Sequence, residues 1–302
     1  MSKLGHPLPV IVVGSINVDL VVRAPRVVEP GETISGSSFS SGQGGKGANQ
    51  ASAAASTGAR VHLIGRVGDD SHGADALAAL ASVGVDTTHV TRADAVTGVA
   101  LIQVTDQGEN AITVVAGANA ELMPADVDRA FGSIASSEFG AVVVLCLEIP
   151  LPTVTHAAVA AAKRGWSVVL NPAPAPTAPL PRELLAAVDV LVPNEYEAAA
   201  IDGIDELAVS GSVAIVVTRG RLGADVHRGD QSFSVPAPRV NAVDTTGAGD
   251  AFIGVLAASL AEGRDLDDTV RRAVVGGAIA TLAPGARGSL PTASAIDRLL
   301  AR

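Results

Sequence analysis

The sequence predicts an α/β fold: a mostly parallel central sheet flanked by helices, with a small β appendage set against it. Three observations carry this expectation. Short β-rich runs alternate with alanine-rich helical stretches, two segments break that rhythm with strands that have no helix between them, and the chain beyond Asp244 becomes helical. The alternating runs are VIVVGS, GANQASAAAS, VHLIGRV, HGADALAALASV, AVVVLCLE, VTHAAVAAAKRG, SVVLNP, VDVLVPN and AIVVTRG. Runs such as VIVV and AVVVLCL lack polar alternation, as strands covered on both faces do. The two breaks are residues 18–40 and 97–116. Within the second, TGVALIQV and AITVVAG, joined by TDQGEN, read as a hairpin. Together the breaks suggest a discontinuous β lid on a single domain spanning 1–302. NPAPAPTAPLP is proline-dense but short, so it reads as a rigid surface connection. The helical end comprises AFIGVLAASLAEG, DDTVRRAVVGGAIATLA and an amphipathic helix near TASAIDRLLAR.

Composition removes several function classes. The chain has 302 residues, 48% hydrophobic but only 2% aromatic, which suits close-packed helices and buried parallel strands rather than disorder. A formal charge of -10 and the lack of any Lys/Arg run argue against a nucleic-acid surface. The single cysteine, Cys146 in AVVVLCL, reads as a buried strand residue, and it excludes a disulfide framework. None of the six histidines shows the short spacings of metal sites. The opening MSKLGHPLPVIVVGSINVD has an apolar run interrupted by Gly14, Asn17 and Asp19. It fits neither a signal peptide nor a membrane span, and a soluble, cytoplasmic protein is expected.

Four polar clusters remain. In TTGAGD, Gly247, Ala248 and Gly249 leave backbone N–H groups bare for an anion where a helix begins, and Asp250 stands beside them. That carboxylate is either a cap on the helix or the group that handles a reacting hydroxyl. SGQGGKGANQ contains a formal G-x-G-x-x-G at Gly42, Gly44 and Gly47. About 27 residues separate it from the first strand, which does not suit a dinucleotide fingerprint, and Gly47 after Lys46 does not suit a P-loop. Its glycines permit close backbone approach to a polar ligand, with Lys46 as a cation and Asn49 projecting from the next helix, although a plain tight turn explains it too. GSINVD places Asn17 and Asp19 on one face of an extended chain, a ligand face or an Asx turn. PNEYE places Asn194 and Glu197 three apart on an emerging helix, where they could hold metal-bound water near phosphates or cap the helix. Every cluster falls at the carboxyl end of a predicted strand, where open α/β sheets bind ligands.

GSINVD, GGKGANQA, CLE, NPAPA, PNEYE and above all DTTGAGDAF resemble the ribokinase branch of the PfkB carbohydrate kinases, from about Val10 to the C-terminus. The resemblance implies a three-layer α/β/α sandwich and ATP-dependent phosphorylation of ribose at its 5-hydroxyl. A 2-deoxyribose kinase, or another sugar kinase of the family, is the alternative. It implies Asp250 as catalytic base and Gly247, Ala248 and Gly249 as anion hole. Asn17, Asp19, Gly45, Lys46, Asn49 and Glu148 match sugar contacts. Asn194 and Glu197 match a phosphate and magnesium-water pair, and Thr218, Gly220 and Gly223 in TRGRLG, with Gly249, match the nucleotide loop. Asp244, Thr246, Ala280, Ala283, Gly285 and Ser289 match a K⁺ site, largely through backbone carbonyls. ATP, Mg²⁺ and K⁺ are thus the implied cofactors, and a homodimer through the lid is the implied assembly. Two departures stand out: the stretch between PNEYE and AIVVTRG is short for the family, and Val274 replaces a polar residue that some relatives have beside the adenine. A catalytically dead sugar sensor and an NAD oxidoreductase are the readings from other classes.

Overall fold

The computed structural model describes residues 7–135 and 140–301. In chain order they form β1 (Val10–Val13), β2 (Asn17–Ala24), β3 (Ser38–Gly44), α1 (Lys46–Ser56), β4 (Val61–Gly68), α2 (Ser71–Ser82), β5 (Val85–Asp86) and β6 (Val90–Ala93). There follow β7 (Gly98–Thr105), β8 (Asn110–Val115), α3 (Pro124–Ala135), β9 (Val142–Cys146), α4 (Leu151–Lys163), β10 (Ser167–Asn171), α5 (Arg182–Ala186) and β11 (Val190–Leu191). The chain closes with α6 (Glu195–Ala199), α7 (Ile204–Ser210), β12 (Ala214–Thr218), β13 (Ala224–Arg228), β14 (Gln231–Val235), α8 (Ala248–Ala261), α9 (Leu266–Ala280) and α10 (Ala293–Leu300).

The central sheet has the order β14-β13-β12-β11-β10-β9-β1-β4-β5, with β6 also on β4. All its pairings are parallel except β12–β13 and β13–β14. Successive strand side chains point to opposite faces, so each apolar run feeds two cores. Val10 and Val12 of β1, with Val142 and Val144 of β9, join the core under α1, α8 and α9. Ile11 and Val13, with Val143 and Leu145, join the core under α3 and α4. The mostly parallel sheet expected from the alternating runs is present, layered between helices as the family resemblance implies. Cys146 lies in the second strand of that pair, free and fully buried, its thiol pushed up to about 11 by burial.

A second sheet, β3-β2-β7-β8, is paired antiparallel, parallel and antiparallel. The predicted hairpin is β7–β8. Residues 25–37 of the first break contain no strand, and only two residues of VDVLVPN pair as β11. In the shortened stretch before β12, α7 has seven residues between left-handed Gly203 and Gly211. No helix among the described residues is long and apolar enough to cross a membrane.

Candidate active site

Backbone contact, made possible by glycine, builds the site. A Cβ on Gly47 would lie 2.6 Å from the backbone of Gly14, and one on Gly45, at φ 86°, would lie 2.6 Å from the Asn17 nitrogen. The start of α1 therefore presses against the turn joining β1 to β2. The predicted approach of these glycines to a ligand is first an approach of chain to chain. Gly42 and Gly44 belong to strand β3, opposite Asp19 and Asn17. A strand does precede the motif directly, but it is a strand of the small sheet, so no βαβ dinucleotide unit forms around it.

Glu148, just past β9, fastens this junction: it accepts from Ser15 Oγ at 2.5 Å and from the Lys46 amide at 3.0 Å. Asn17 is 3% exposed, and its Oδ1 accepts from Asn119 Nδ2 at 2.7 Å. Asn119 also pairs with both backbone groups of Ile16, at 2.9 and 3.1 Å. Among the described residues Asn17 thus keeps both its amide hydrogens free to donate, while its oxygen has one acceptor site already filled.

Asp250 is the third residue of α8, the usual place of a capping partner, yet its side chain makes no cap bond. Instead Oδ2 accepts from Asn49 Nδ2 at 3.0 Å and Oδ1 from Gln50 Nε2 at 3.2 Å. Gln50 is tied to Asn171 Oδ1 at 3.2 Å, and Asn171 donates to the Val192 carbonyl at 3.0 Å. Asp250 is 8% exposed, and its carboxylate reaches the face of α1 from across the core. The capping alternative for Asp250 is therefore not what the fold contains. Of the bare amides expected here, that of Ala248 donates to the Thr245 carbonyl at 3.2 Å. Those of Gly247, Gly249 and Asp250 have no acceptor among the described residues.

Two cavities meet at this helix start. One of about 130 Å³ is lined by Lys46, Asn171, Asn194, Glu197, Gly247 and Asp250 among others. The other, about 680 Å³, is lined by Thr218, Gly220, Gly223, Phe252, Val274 and Ala278 among others, a volume suited to a nucleotide-sized ligand. Thr218 and Gly249 line both, so Asp250 stands where a small polar site opens into a large, mainly apolar one. The apolar Val274 lies in the wall of the latter.

Charge concentrates around Lys46 and Asp250, which line the small cavity. Burial pulls the Lys46 ammonium down, but Asp250 and Glu148 outweigh it and hold its pKa above the ordinary value. Asp19 is pushed up to about 6, by burial first and then by Glu148, with Arg287 opposing and Asp250 adding to the rise. A carboxyl whose folded pKa exceeds its unfolded value loses stability as pH rises through the interval between them, here about 4 to 6. Asp19→Asn is expected to raise the melting temperature at pH 7.5. The gain should shrink as pH falls through 6 toward 4, and a constant or absent gain in thermal melts would contradict the burial of this charge.

Asn194 and Glu197 form a capping box on α6: Glu197 N donates to Asn194 Oδ1 at 2.8 Å and Asn194 N to Glu197 Oε2 at 2.9 Å. The capping reading holds, and it leaves Glu197 Oε1 without a protein partner among the described residues, at the cavity wall. Asp244 ties two loops together, accepting from Thr246 N at 2.9 Å, Thr246 Oγ1 at 2.7 Å and Gly285 N at 2.8 Å. Ala280, Ala283 and Ser289 flank this junction along the chain, and the Thr281 carbonyl accepts from Val243 and Asp244. Among the described residues no cluster of three His, Cys, Asp or Glu side chains could hold a metal, so a cation here would rest mainly on carbonyls and water. His6 lies outside the described residues.

The fold thus gathers Asp19, Lys46, Asn49, Glu148 and Asp250, and brings Asn194, Glu197 and Thr218 to the same cavity system. Sequence reasoning missed Ser15, Gln50, Asn119, Asn171 and Arg287. Gln50 and Asn171 lie inside motifs already singled out, whereas no spacing signals Asn119 or Arg287.

Known proteins resemble this chain along almost its whole length. The model of the pfkB family carbohydrate kinases matches residues 9–293. A ribokinase of Haemophilus influenzae is 40% identical over 294 residues, covering 93% of this chain and 94% of that protein. A deoxyribokinase of Salmonella typhi is 37% identical, covering 97% and 99%. The structure of Arabidopsis thaliana ribokinase complexed with ribose and ATP superposes with a TM-score of 0.87 at 30% identity, covering 98% of this chain and 99% of that one.

Proposed function

This chain belongs to the pfkB family of carbohydrate kinases, and from that premise we propose that it transfers the γ-phosphoryl group of ATP to the 5-hydroxyl of ribose, giving ribose 5-phosphate and ADP. The observation that carries the reading is the position of Asp250, held by two amide donors at the junction of a small polar cavity and a nucleotide-sized one. A carboxylate is too weak a base to remove an alcohol proton beforehand. In a loose phosphoryl-transfer transition state the proton leaves late, so Asp250 aims the hydroxyl and then accepts its proton. The free amides of Gly247, Gly249 and Asp250 donate to the transferred group, each well-placed donor contributing about 3 kcal/mol.

Asp19, Asn49, Lys46, Glu148 and the amide of Asn17 supply the hydrogen bonds that a desolvated sugar needs, since each unpaired buried polar group costs about 1–3 kcal/mol. ATP enters the larger cavity along Thr218, Gly220 and Gly223, with its base against Val274 and Phe252. Mg²⁺, when bound, offsets phosphate charge, and Glu197 Oε1 beside Asn194 is the group that would hold its water. The junction of Asp244, Thr246 and Gly285, with the carbonyls of Ala280, Ala283 and Ser289, is suited to K⁺ behind the amide cluster.

The small sheet serves as the lid. Asn17 and Asp19 look into the site, while register places Val22, Phe39, Leu101 and Val115 on the opposite face, 40–66% exposed. Such an apolar surface supports pairing with the lid of a second copy in a homodimer. The whole domain would work in the cytoplasm.

The similarity to a deoxyribokinase keeps 2-deoxyribose as the second substrate. ADP release with each sugar tests the reading: ribose should give the higher kcat/KM, and K⁺ replaced by tetramethylammonium should depress the rate. A preference for 2-deoxyribose would move the assignment to that sugar, and no ADP release with either would reject it.

A further inference from the structure

Arg287 lies on the loop after α9, between Gly285 and Ser289, yet its side chain reaches the sugar side of the site. Nε donates to Asn49 Oδ1 at 2.9 Å and Nη2 to the Gly44 carbonyl at 3.3 Å. Asn49 is then held between two partners of opposite kind. A guanidinium can only donate and an ionised carboxylate can only accept, so Asn49 has one orientation that satisfies both: oxygen toward Arg287, nitrogen toward Asp250. The reverse would set donor against donor and acceptor against acceptor.

The second contact matters as much. Gly44 is the last residue of β3 in the small sheet, whereas Asn49 is on α1 under the central sheet. One guanidinium therefore joins the small sheet, α1 and the loop that Asp244 anchors through Gly285. It is also one of two cations, with Lys46, among three carboxylates, Asp19, Glu148 and Asp250. Its charge faces Asp19 and Asp250 while burial lowers its own pKa to about 10.

We infer that Arg287 is a further positioning residue of the transfer site, locking Asn49 in the orientation that fixes the Asp250 carboxylate and tying the small sheet to that lock. The inference rests on the reading of Asp250 as proton acceptor. Arg287 acts through Asn49 and through its charge, and it needs no contact with either substrate.

The test compares Arg287→Met, which loses both donor and charge, with Arg287→Lys, which keeps the charge and one donor. Loss of a charge-assisted hydrogen bond should lower kcat of the Met variant roughly tenfold to a hundredfold, with KM for ATP little changed. The Lys variant should recover part of that loss. A second readout separates positioning from general damage. Asp19 faces Glu148 and Asp250 as well as Arg287, so removing the cation should raise the Asp19 pKa further and move the acid limb of kcat/KM to higher pH than in the natural protein. Lys should leave the limb in place. A Met variant with kcat within about twofold of the natural protein and an unmoved limb would overturn the inference. If the Met variant does not fold in a thermal melt, Arg287→Leu takes its place under the same criteria. Asp250→Asn run in parallel separates the two claims: if it keeps turnover, the reading of Asp250 fails, and if it is dead while the Arg287 variants are normal, only this inference fails.

Discussion

Asp250→Asn is expected to cut kcat by about 10²–10⁴, the range of a positioned general base, while the protein stays folded and KM for the sugar changes little. The asparagine keeps an oxygen for one of the two amide donors now supplied by Asn49 and Gln50, but its nitrogen must face the other as donor against donor. What it cannot do is receive the proton of the sugar hydroxyl as phosphoryl transfer completes. The free amides of Gly247 and Gly249 remain, so some acceleration over water should survive. Single-turnover ADP formation, with thermal melts to check folding, measures this. Turnover near that of the natural protein would reject Asp250 as proton acceptor, and a large rise in sugar KM with kcat intact would reassign it to binding alone.

Gly254→Val should produce the largest stability effect. Gly254 is buried in α8 where α1 crosses it, and even a Cβ there would lie 2.5 Å from the Gln50 carbonyl, 2.6 Å from Ala53 Cβ and 2.7 Å from the Ala54 nitrogen. These are mostly backbone atoms, which cannot turn aside. Overpacking of this kind costs about 1–3 kcal/mol, and a β-branched side chain against backbone belongs at the upper end or beyond. For a chain of this size about 3 kcal/mol corresponds to a melting temperature lower by roughly 5 °C. Activity should fall further than stability explains, because separating α1 from α8 draws Asn49 and Gln50 away from Asp250. A displacement of about 1 Å can cost 10²-fold in rate. Gly132→Ala is the control: this exposed position in α3 has nothing within 4 Å of an added Cβ, so activity should stay unchanged and stability should hold or rise by up to about 1 kcal/mol. A stable, active Gly254→Val would show that the α1–α8 contact is not rigid.

The layered architecture was legible because burial on both faces of a parallel strand leaves an unbroken apolar run, as in VIVV and AVVVLCL. The motif DTTGAGD was legible as chemistry but not as geometry. Sequence left Asp250 open between cap and reacting group, since both require an acid near a helix start. What excluded the cap was the pairing with Asn49 and Gln50, 201 and 200 positions away. Arg287 was illegible for the same reason: its partners are fixed by how the loop after α9 returns to α1, which no local spacing records. For PNEYE the capping reading proved correct, yet the cap engages only one carboxylate oxygen and leaves the other at the cavity. The glycine run was rightly seen as permitting close approach, but the nearest approaching chain is the protein's own β1–β2 turn.

A crystal structure of the chain with ribose and a non-hydrolysable ATP analogue tests the transfer site most directly. The sugar 5-hydroxyl should lie within hydrogen-bond reach of the Asp250 carboxylate, with the terminal phosphate on the amides of Gly247 and Gly249. A complex in which both ligands are bound but the carboxylate and those amides face different groups would contradict it.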